Sequence, residues 1–234
     1  MAREFLVLDR TEGFPHSMLR MFRDESVRLV HEREMPSSRR LFEPALKAVA
    51  ISADNEIYFA SGLDGRIYRL RFGREQLVYE HSRQIRDIAF NDTGTLFFSS
   101  LDTPQNGRRL DDCRIYSLNE RSGRLNLAYT VRQRDLKEPY WGTFAFHNYR
   151  LYISTLRGNS AGVQSSIYRI ERGIPRIKYR SDDFEIHDFT FSPSGASVFF
   201  TNGTGQIFRL FEMRELSVYV NARTRQFNGL VTAR

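Results

Sequence analysis

Short apolar runs alternate with polar turns along the whole chain, and no segment has a convincing helical period. Val49-Ala50-Ile51 is followed by Ser52-Ala53-Asp54-Asn55 and then by Ile57-Tyr58-Phe59. The same order returns as Ile88-Ala89-Phe90, Asn91 to Gly94, and Leu96-Phe97-Phe98. It returns again as Phe144-Ala145-Phe146, His147-Asn148, and Leu151-Tyr152-Ile153, and as Phe189-Thr190-Phe191, Ser192 to Gly195, and Val198-Phe199-Phe200. Each is read as two strands joined by a tight turn, because Gly, Asn and Asp tolerate the positive φ such turns need.

A second phrase follows each pair. Gly65-Arg66-Ile67-Tyr68-Arg69-Leu70 is echoed by Cys113-Arg114-Ile115-Tyr116-Ser117-Leu118, Ser166-Ile167-Tyr168-Arg169-Ile170 and Gln206-Ile207-Phe208-Arg209-Leu210. A weaker copy is Ser17-Met18-Leu19-Arg20-Met21. A further strand comes after it, as in Gln76-Leu77-Val78-Tyr79 and Leu216-Ser217-Val218-Tyr219. Four short antiparallel strands repeating every 40 to 50 or so residues are the unit of a β-propeller blade. The ends complement each other. Residues 3–34 supply three strands and lack a first one, while Phe227-Asn228-Gly229-Leu230-Val231-Thr232 is a strand with nothing after it. Pairing them closes the ring and removes two sheet edges.

The expectation is therefore an all-β, single-domain, five-bladed propeller over residues 1–234. Its blades are 3–34 with 226–233, then 46–82, 85–132, 140–181 and 185–221. Met35 to Phe42, Thr103 to Asp111 and Gly158 to Val163 read as loops from their composition.

Charge and cysteine usage change this picture only a little. The net charge is +7, and all but three of the 35 basic residues are arginine; the lysines are Lys47, Lys137 and Lys178. The arginines are scattered and form no long basic run, which disfavours nucleic acid as the partner. The single cysteine, Cys113, sits in an apolar strand and reads as a buried, inert thiol. No apolar run approaches the roughly 20 residues of a membrane span. The start of the chain has no apolar stretch of signal-peptide length, so the expected compartment is the cytoplasm. No phosphate-cradling glycine loop, nucleophile elbow, HExxH helix or paired-cysteine zinc motif is present.

Phe191-Ser192-Pro193-Ser194-Gly195 and Gly205-Gln206-Ile207-Phe208-Arg209-Leu210 resemble blades of the regucalcin/gluconolactonase, strictosidine-synthase and NHL propellers. The resemblance is at blade level, and those families usually have six or more blades. It implies that ligands sit at the inner end of the first strand of each blade, where a regucalcin-type enzyme holds a divalent ion with Glu and Asn or Asp. The matching positions here are Lys47, Arg86, Trp141, His187 and Asn228. The first four each lie eight residues before the turn residue Asn55, Gly94, Tyr149 or Gly195. Lys47 and Arg86 would repel a hard cation. An ion under this reading, Ca²⁺ or Zn²⁺, would need Asn228 with Asp87, Asp188 or Glu43.

The same ring is the candidate site for a small ligand. Lys47 and Arg86 would supply cationic donors, Trp141 a stacking face and His187 a titratable group, with Asp87 and Asp188 one residue on. Either these groups plug the channel with mutual ion pairs or they hold a polar or anionic ligand. Adjacent strand residues point to opposite faces, so His187 and Asp188 do not make a catalytic pair. Arg20, Arg69, Arg169 and Arg209 recur in the second phrase and are expected to pack between blades and pair with acids. No cofactor is implied. The expected function is a non-catalytic binding or scaffold propeller that serves a protein partner or a polar or anionic ligand. The alternatives are a regucalcin-like, metal-dependent lactone or ester hydrolase and a basic nucleic-acid-associated propeller.

Overall fold

The computed structural model of the protein describes residues 4–9, 17–23, 26–33, 46–61, 65–101, 112–137, 140–159, 162–202, 206–221 and 227–232. Its strands form five antiparallel sheets of four. The first blade joins the two ends of the chain: β20 (Phe227–Thr232) lies innermost, followed by β1 (Glu4–Asp9), β2 (Ser17–Arg23) and β3 (Ser26–Arg33). The second blade is β4 (Leu46–Ile51), β5 (Ile57–Ser61), β6 (Arg66–Arg71) and β7 (Arg74–Glu80). The third is β8 (Ile85–Phe90), β9 (Leu96–Leu101), β10 (Cys113–Asn119) and β11 (Arg124–Val131). The fourth is β12 (Tyr140–His147), β13 (Arg150–Asn159), β14 (Gly162–Glu171) and β15 (Ile174–Ser181). The fifth is β16 (Asp188–Phe191), β17 (Ser197–Thr201), β18 (Gln206–Phe211) and β19 (Glu215–Asn221).

The inner strands β20, β4, β8, β12 and β16 pack against one another in a closed ring. The expected closure is observed: β20 pairs with β1 in the register Phe5↔Thr232 and Val7↔Leu230. The only helical turn among the described residues is a short 3-10 turn at Gln133–Asp135. No helix among them is long and apolar enough to cross a membrane. The loops expected at 35–42 and 103–111 lie outside the described residues. At 158–163 the strands run on, with Gly158 opposite Val163 and Asn159 opposite Gly162.

The core is a set of seams between blades. Ala48, Tyr58 and Ile67 of the second blade meet Ile88, Phe90 and Phe98 of the third. Phe97, Cys113 and Ile115, from the other face of the third blade, meet Phe144 and Ile153 of the fourth. The pattern continues around the ring, and the seam that completes it packs Phe5, Val7 and Leu230 on Phe199 and Ile207. Phe5 meets Phe199 edge-on at 4.9 Å between ring centroids. Each blade is thus covered on both faces, which explains why middle strands such as Leu96-Phe97-Phe98 are continuously apolar rather than alternating. Cys113 is 1% exposed, as its apolar strand suggests.

The outer strand of every blade carries a one-residue bulge at the same place. The extra residues are Val30, Val78, Ala128, Lys178 and Tyr219, each next to the residue that opposes the second position of the repeated Ile-Tyr phrase. Such bulges increase local twist and spoil the edge for pairing with another chain. They also correct the alignment of the first blade. Arg20, not Leu19, occupies the position of Tyr68 and Tyr168, because the bulge falls after Leu19 just as it falls after Ile67 and Ile167. The weak copy of the phrase is one residue out of step, and Arg20 is not the counterpart of Arg69, Arg169 and Arg209.

Candidate functional site

The inner strands also bulge. Lys47 is the extra residue between the pairs Leu46↔Ser61 and Ala48↔Ala60. Arg86 is the extra residue between Ile85↔Ser100 and Asp87↔Ser99. Asn228 is the extra residue between Asp9↔Phe227 and Leu8↔Gly229. In the fifth blade the His187 N–H bonds to the Thr201 carbonyl (2.9 Å), and Thr201 also opposes Asp188. These four positions are therefore equivalent in space, as the spacing rule implies for Lys47, Arg86 and His187. Trp141 is one residue off. Phe144 pairs with Ile153 as Ile88 pairs with Phe98, and counting back from Phe144 puts Gly142 at the shared level. The cause is the fourth blade's hairpin. Its two turn residues, Asn148 and Tyr149, both have positive φ (49° and 58°), and the turn is shorter than in the neighbouring blades. The side chains of Trp141 and Asn228, and the whole of Glu43, lie outside the described residues.

The residue after the bulge is the informative one. Asp87 and Asp188 are buried at 4% and 6% exposure, and each carboxylate joins two blades. Asp87 Oδ1 accepts the N–H of Ile88 (2.8 Å), and Oδ2 accepts the N–H of Phe144 on the next blade (2.7 Å). Asp188 repeats this with Phe189 (2.8 Å) and with Leu230 of the first blade (2.7 Å). These N–H groups lie on the axial edge of the inner strands, where no further strand can take them, so a bidentate acceptor satisfies two at once. Burial raises both carboxyl pKa values against the pull of the N–H bonds. Asp188 is pushed up to about 7. Asp87 goes well above the usual carboxylate range, mainly by burial and further by the charge of Asp188, with its two N–H bonds and then Lys47 acting in the opposite sense.

Asp87 and Asp188 are also the polar floor of an axial cavity of about 290 Å³. Its wall is built from the later residues of the inner strands, among them Val49, Ile51, Phe144, Phe146, Phe191 and Leu230. At its rim are Asp92, His147, Ser192 and Pro193, on the hairpins that follow the inner strands. His147 stacks on Phe191 at 4.9 Å, and Asp92 accepts the Tyr149 N–H (2.7 Å), tying the third blade's hairpin to the fourth's. Lys47, Arg86 and His187 do not line this cavity. They stand one residue before its floor, toward the end of the inner strands that receives the connections between blades. His187 Nε2 pairs with Glu185. The structure thus brings two of the expected site residues, Asp87 and Asp188, into a cavity that opens on the opposite side from the funnel expected at the strand starts. The sequence signal for their joint role is the repeat of Arg86-Asp87-Ile88 as His187-Asp188-Phe189, a buried acid one residue before a core position.

The recurring arginines behave individually. Arg69 pairs with Glu56 (3.3 Å) and Arg169 with Glu171, while Arg209 donates to Ser197 Oγ (3.0 Å) and Arg20 to Met18 Sδ (2.9 Å). Among the described residues no three His, Cys, Asp or Glu side chains come together as a metal site.

No protein-family model matches the sequence, and no curated protein does. Its architecture is nonetheless widespread among solved structures. A chain in the crystal structure of a nidogen/laminin complex aligns over 100% of this protein and 99% of its own length, with a TM-score of 0.60 and 11% identity. A gluconolactonase from Xanthomonas campestris aligns over 94% of this protein and 76% of its own length, with a TM-score of 0.54 and 15% identity. TolB from Acinetobacter baumannii aligns over 97% of this protein and 67% of its own length, with a TM-score of 0.52 and 13% identity. At these identities the likeness is one of fold, and at that level the chain is a five-bladed β-propeller similar to the gluconolactonase propellers its blades resemble in sequence.

Proposed function

We propose that the protein is a non-catalytic binding or scaffold propeller that presents its faces to a protein partner or holds a polar or anionic ligand on its axis. The observation that carries this reading is the use to which the two buried carboxylates are put. A catalytic or metal-binding carboxylate needs lone pairs turned toward the reacting group. Here all four oxygens of Asp87 and Asp188 accept backbone N–H groups and hold neighbouring blades together. The structural likeness to a chain from a nidogen/laminin complex is in keeping with a propeller that works through its surface. The test is capture of partners by the tagged protein, combined with thermal melts against carboxylates and sugar phosphates. A monodisperse monomer with no captured partner and no shift in Tm would remove the proposal.

The likeness to a gluconolactonase supports a second reading, a metal-dependent lactone or ester hydrolase. Its ion, Ca²⁺ or Zn²⁺, would need Asn228 with Asp87, Asp188 or Glu43. The two described carboxylates do not fit, because both are engaged by the backbone and Lys47 acts on Asp87 as a nearby positive charge. Elemental analysis of the purified protein separates the readings: about one bound metal per chain with lactonase activity would favour the hydrolase.

A further inference from the structure

The second to fifth blades each turn two hairpins toward the same face. In the third blade Phe90, Leu96, Leu118 and Leu125 lie in one row across the sheet, so the hairpins after β8 and after β10 leave from the same end. The axial cavity opens at this end, between hairpins carrying Asp92, His147 and Ser192. Two aromatic side chains stand out from it. Phe72, at the tip between β6 and β7, is 92% exposed, and Tyr149, between β12 and β13, is 74% exposed. Both lie in the left-handed region (φ 50° and 58°), where glycine or asparagine is the favoured residue. Turn chemistry does not explain a bulky aromatic at these tips; the Arg71 guanidinium lies over the Phe72 ring, 5.6 Å from its centroid, and leaves that side chain exposed.

The charges on this face are unequal in what they do. Arg74, Arg121, Arg124, Arg150, Arg172 and Arg214 sit at or beside the hairpin tips of four blades, and all are exposed. Their side chains make no ion pair among the described residues. Most acids of the same face are engaged: Glu56 with Arg69 and Arg71, Glu120 with the Tyr58 hydroxyl, Glu171 with Arg169 and Lys178, and Asp92 with the Tyr149 N–H. Among the described residues, Asp54, Glu212 and Glu215 are the acids of this face left without such a bond. The face therefore offers forked cationic donors around exposed aromatic rings, with a few acids between them.

We infer that this hairpin face docks an acidic segment of a protein partner, with Phe72 and Tyr149 as apolar anchors and the tip arginines pairing its carboxylates. The inference rests on the binding reading above and names the face and the partner chemistry. A nucleic acid suits the face less well. Its phosphates carry a charge at every step and would meet Asp54, Glu212 and Glu215, whereas a protein segment can place carboxylates only opposite the arginines.

The test uses the full chain and fluorescence anisotropy. The probes are short labelled peptides with aspartates at varied spacings around a central leucine, the same peptides with lysine for aspartate, and an oligothymidylate of equal charge. The variants are Phe72→Ala with Tyr149→Asn, and Arg121→Glu with Arg124→Glu; asparagine suits the Tyr149 backbone, so that variant keeps its turn. Arg132→Glu, exposed just beyond the end of β11 on the opposite side of the ring, is the control. Saturable binding of an acidic peptide is expected, weakened by about tenfold in either face variant and unchanged in the control. The lysine peptides should not bind. Absence of saturable binding, an equal loss in the control, or tighter binding of the oligothymidylate through the same residues would each overturn the inference. If a cellular partner is captured equally by wild type and both face variants, this face is wrong while the binding reading stands; if nothing is captured, that reading fails first.

Discussion

Asp188→Asn alters a group that folding makes reluctant to ionise. The unfolded chain releases the Asp188 proton near 3.8, and the folded ring holds it up to about 7. A carboxyl whose pKa is raised on folding favours the fold fully below its unfolded value, and that advantage is lost as pH climbs to the folded value. The shift from 3.8 to about 7 corresponds to about 4 kcal/mol lost across that window. Asp87 acts in the same direction, since burial and the Asp188 charge both raise it. Asparagine has nearly the same shape and cannot ionise. Its oxygen can take one N–H, from Phe189 or Leu230, but its amide group then faces the other donor, at a cost of about 1–3 kcal/mol at every pH. It also spares Asp87 a neighbouring charge. The variant should therefore be clearly less stable than wild type at about pH 5, and the gap should close or reverse by about pH 8. Urea midpoints measured across this range for both proteins give the comparison. Surface carboxylates common to the two proteins cancel in the difference, so the difference isolates the site. Parallel pH profiles, or a gap that widens toward alkaline pH, would refute the account of the ring.

Gly195→Ala and Gly94→Ala form a matched pair: both glycines have positive φ (72° and 77°), but a Cβ at 195 runs into the His147 ring while one at 94 meets open space. The first should cost roughly 1–3 kcal/mol more than the second by thermal melt, and equal losses would mean the His147 ring moves aside freely. Cys113 should be unreactive toward a thiol reagent in the native protein and react fully in denaturant, and rapid native labelling would contradict its burial in the seam between the third and fourth blades. Removing residues 227–232 should cost the compact monomer, read by size-exclusion chromatography, because Leu230 packs in the closing seam and receives the Asp188 bond.

The repeat and the complementary ends were sufficient to read five blades because each blade is an independent copy of one pattern, and copies average out local ambiguity. Tyr68, Tyr116, Tyr168 and Phe208 mark the same place in four of them, and the hairpin residues Asn55, Gly94 and Gly195 have the positive φ their identities suggest. Single-residue register was less legible. Trp141 was placed one position early because a two-residue hairpin shortens the count, and Arg20 one position early because the first blade's third strand has no aromatic to mark the bulge. Bulges have no strong residue signature, so their positions emerge from pairing and not from composition. The cavity's direction was hidden for a related reason. Spacing identifies Lys47, Arg86 and His187 as equivalents, but only pairing shows that Asp87 and Asp188 close off the channel beside them.

The number of blades sets a limit on that closure. At the level of Val49, Ile88, Phe144, Phe189 and Leu230 the inner strands present equivalent positions around the axis. A bidentate carboxylate serves its own blade and the next, so Asp87 covers the third and fourth blades and Asp188 the fifth and first. Five cannot be divided into pairs. The second blade is left over: its own Ala48 and the first blade's Gly229, the counterparts of Asp87, have no side-chain acceptor to offer. A third aspartate at either place would add another buried carboxylate to a ring where the Asp188 charge already raises the cost of ionising Asp87. With two carboxyl groups the observed arrangement ties four blades as two pairs. The blade left outside the clasp is the second, and its hydrophobic seams, with Leu6 and Leu19 on one side and Ile88 and Phe98 on the other, hold it in place.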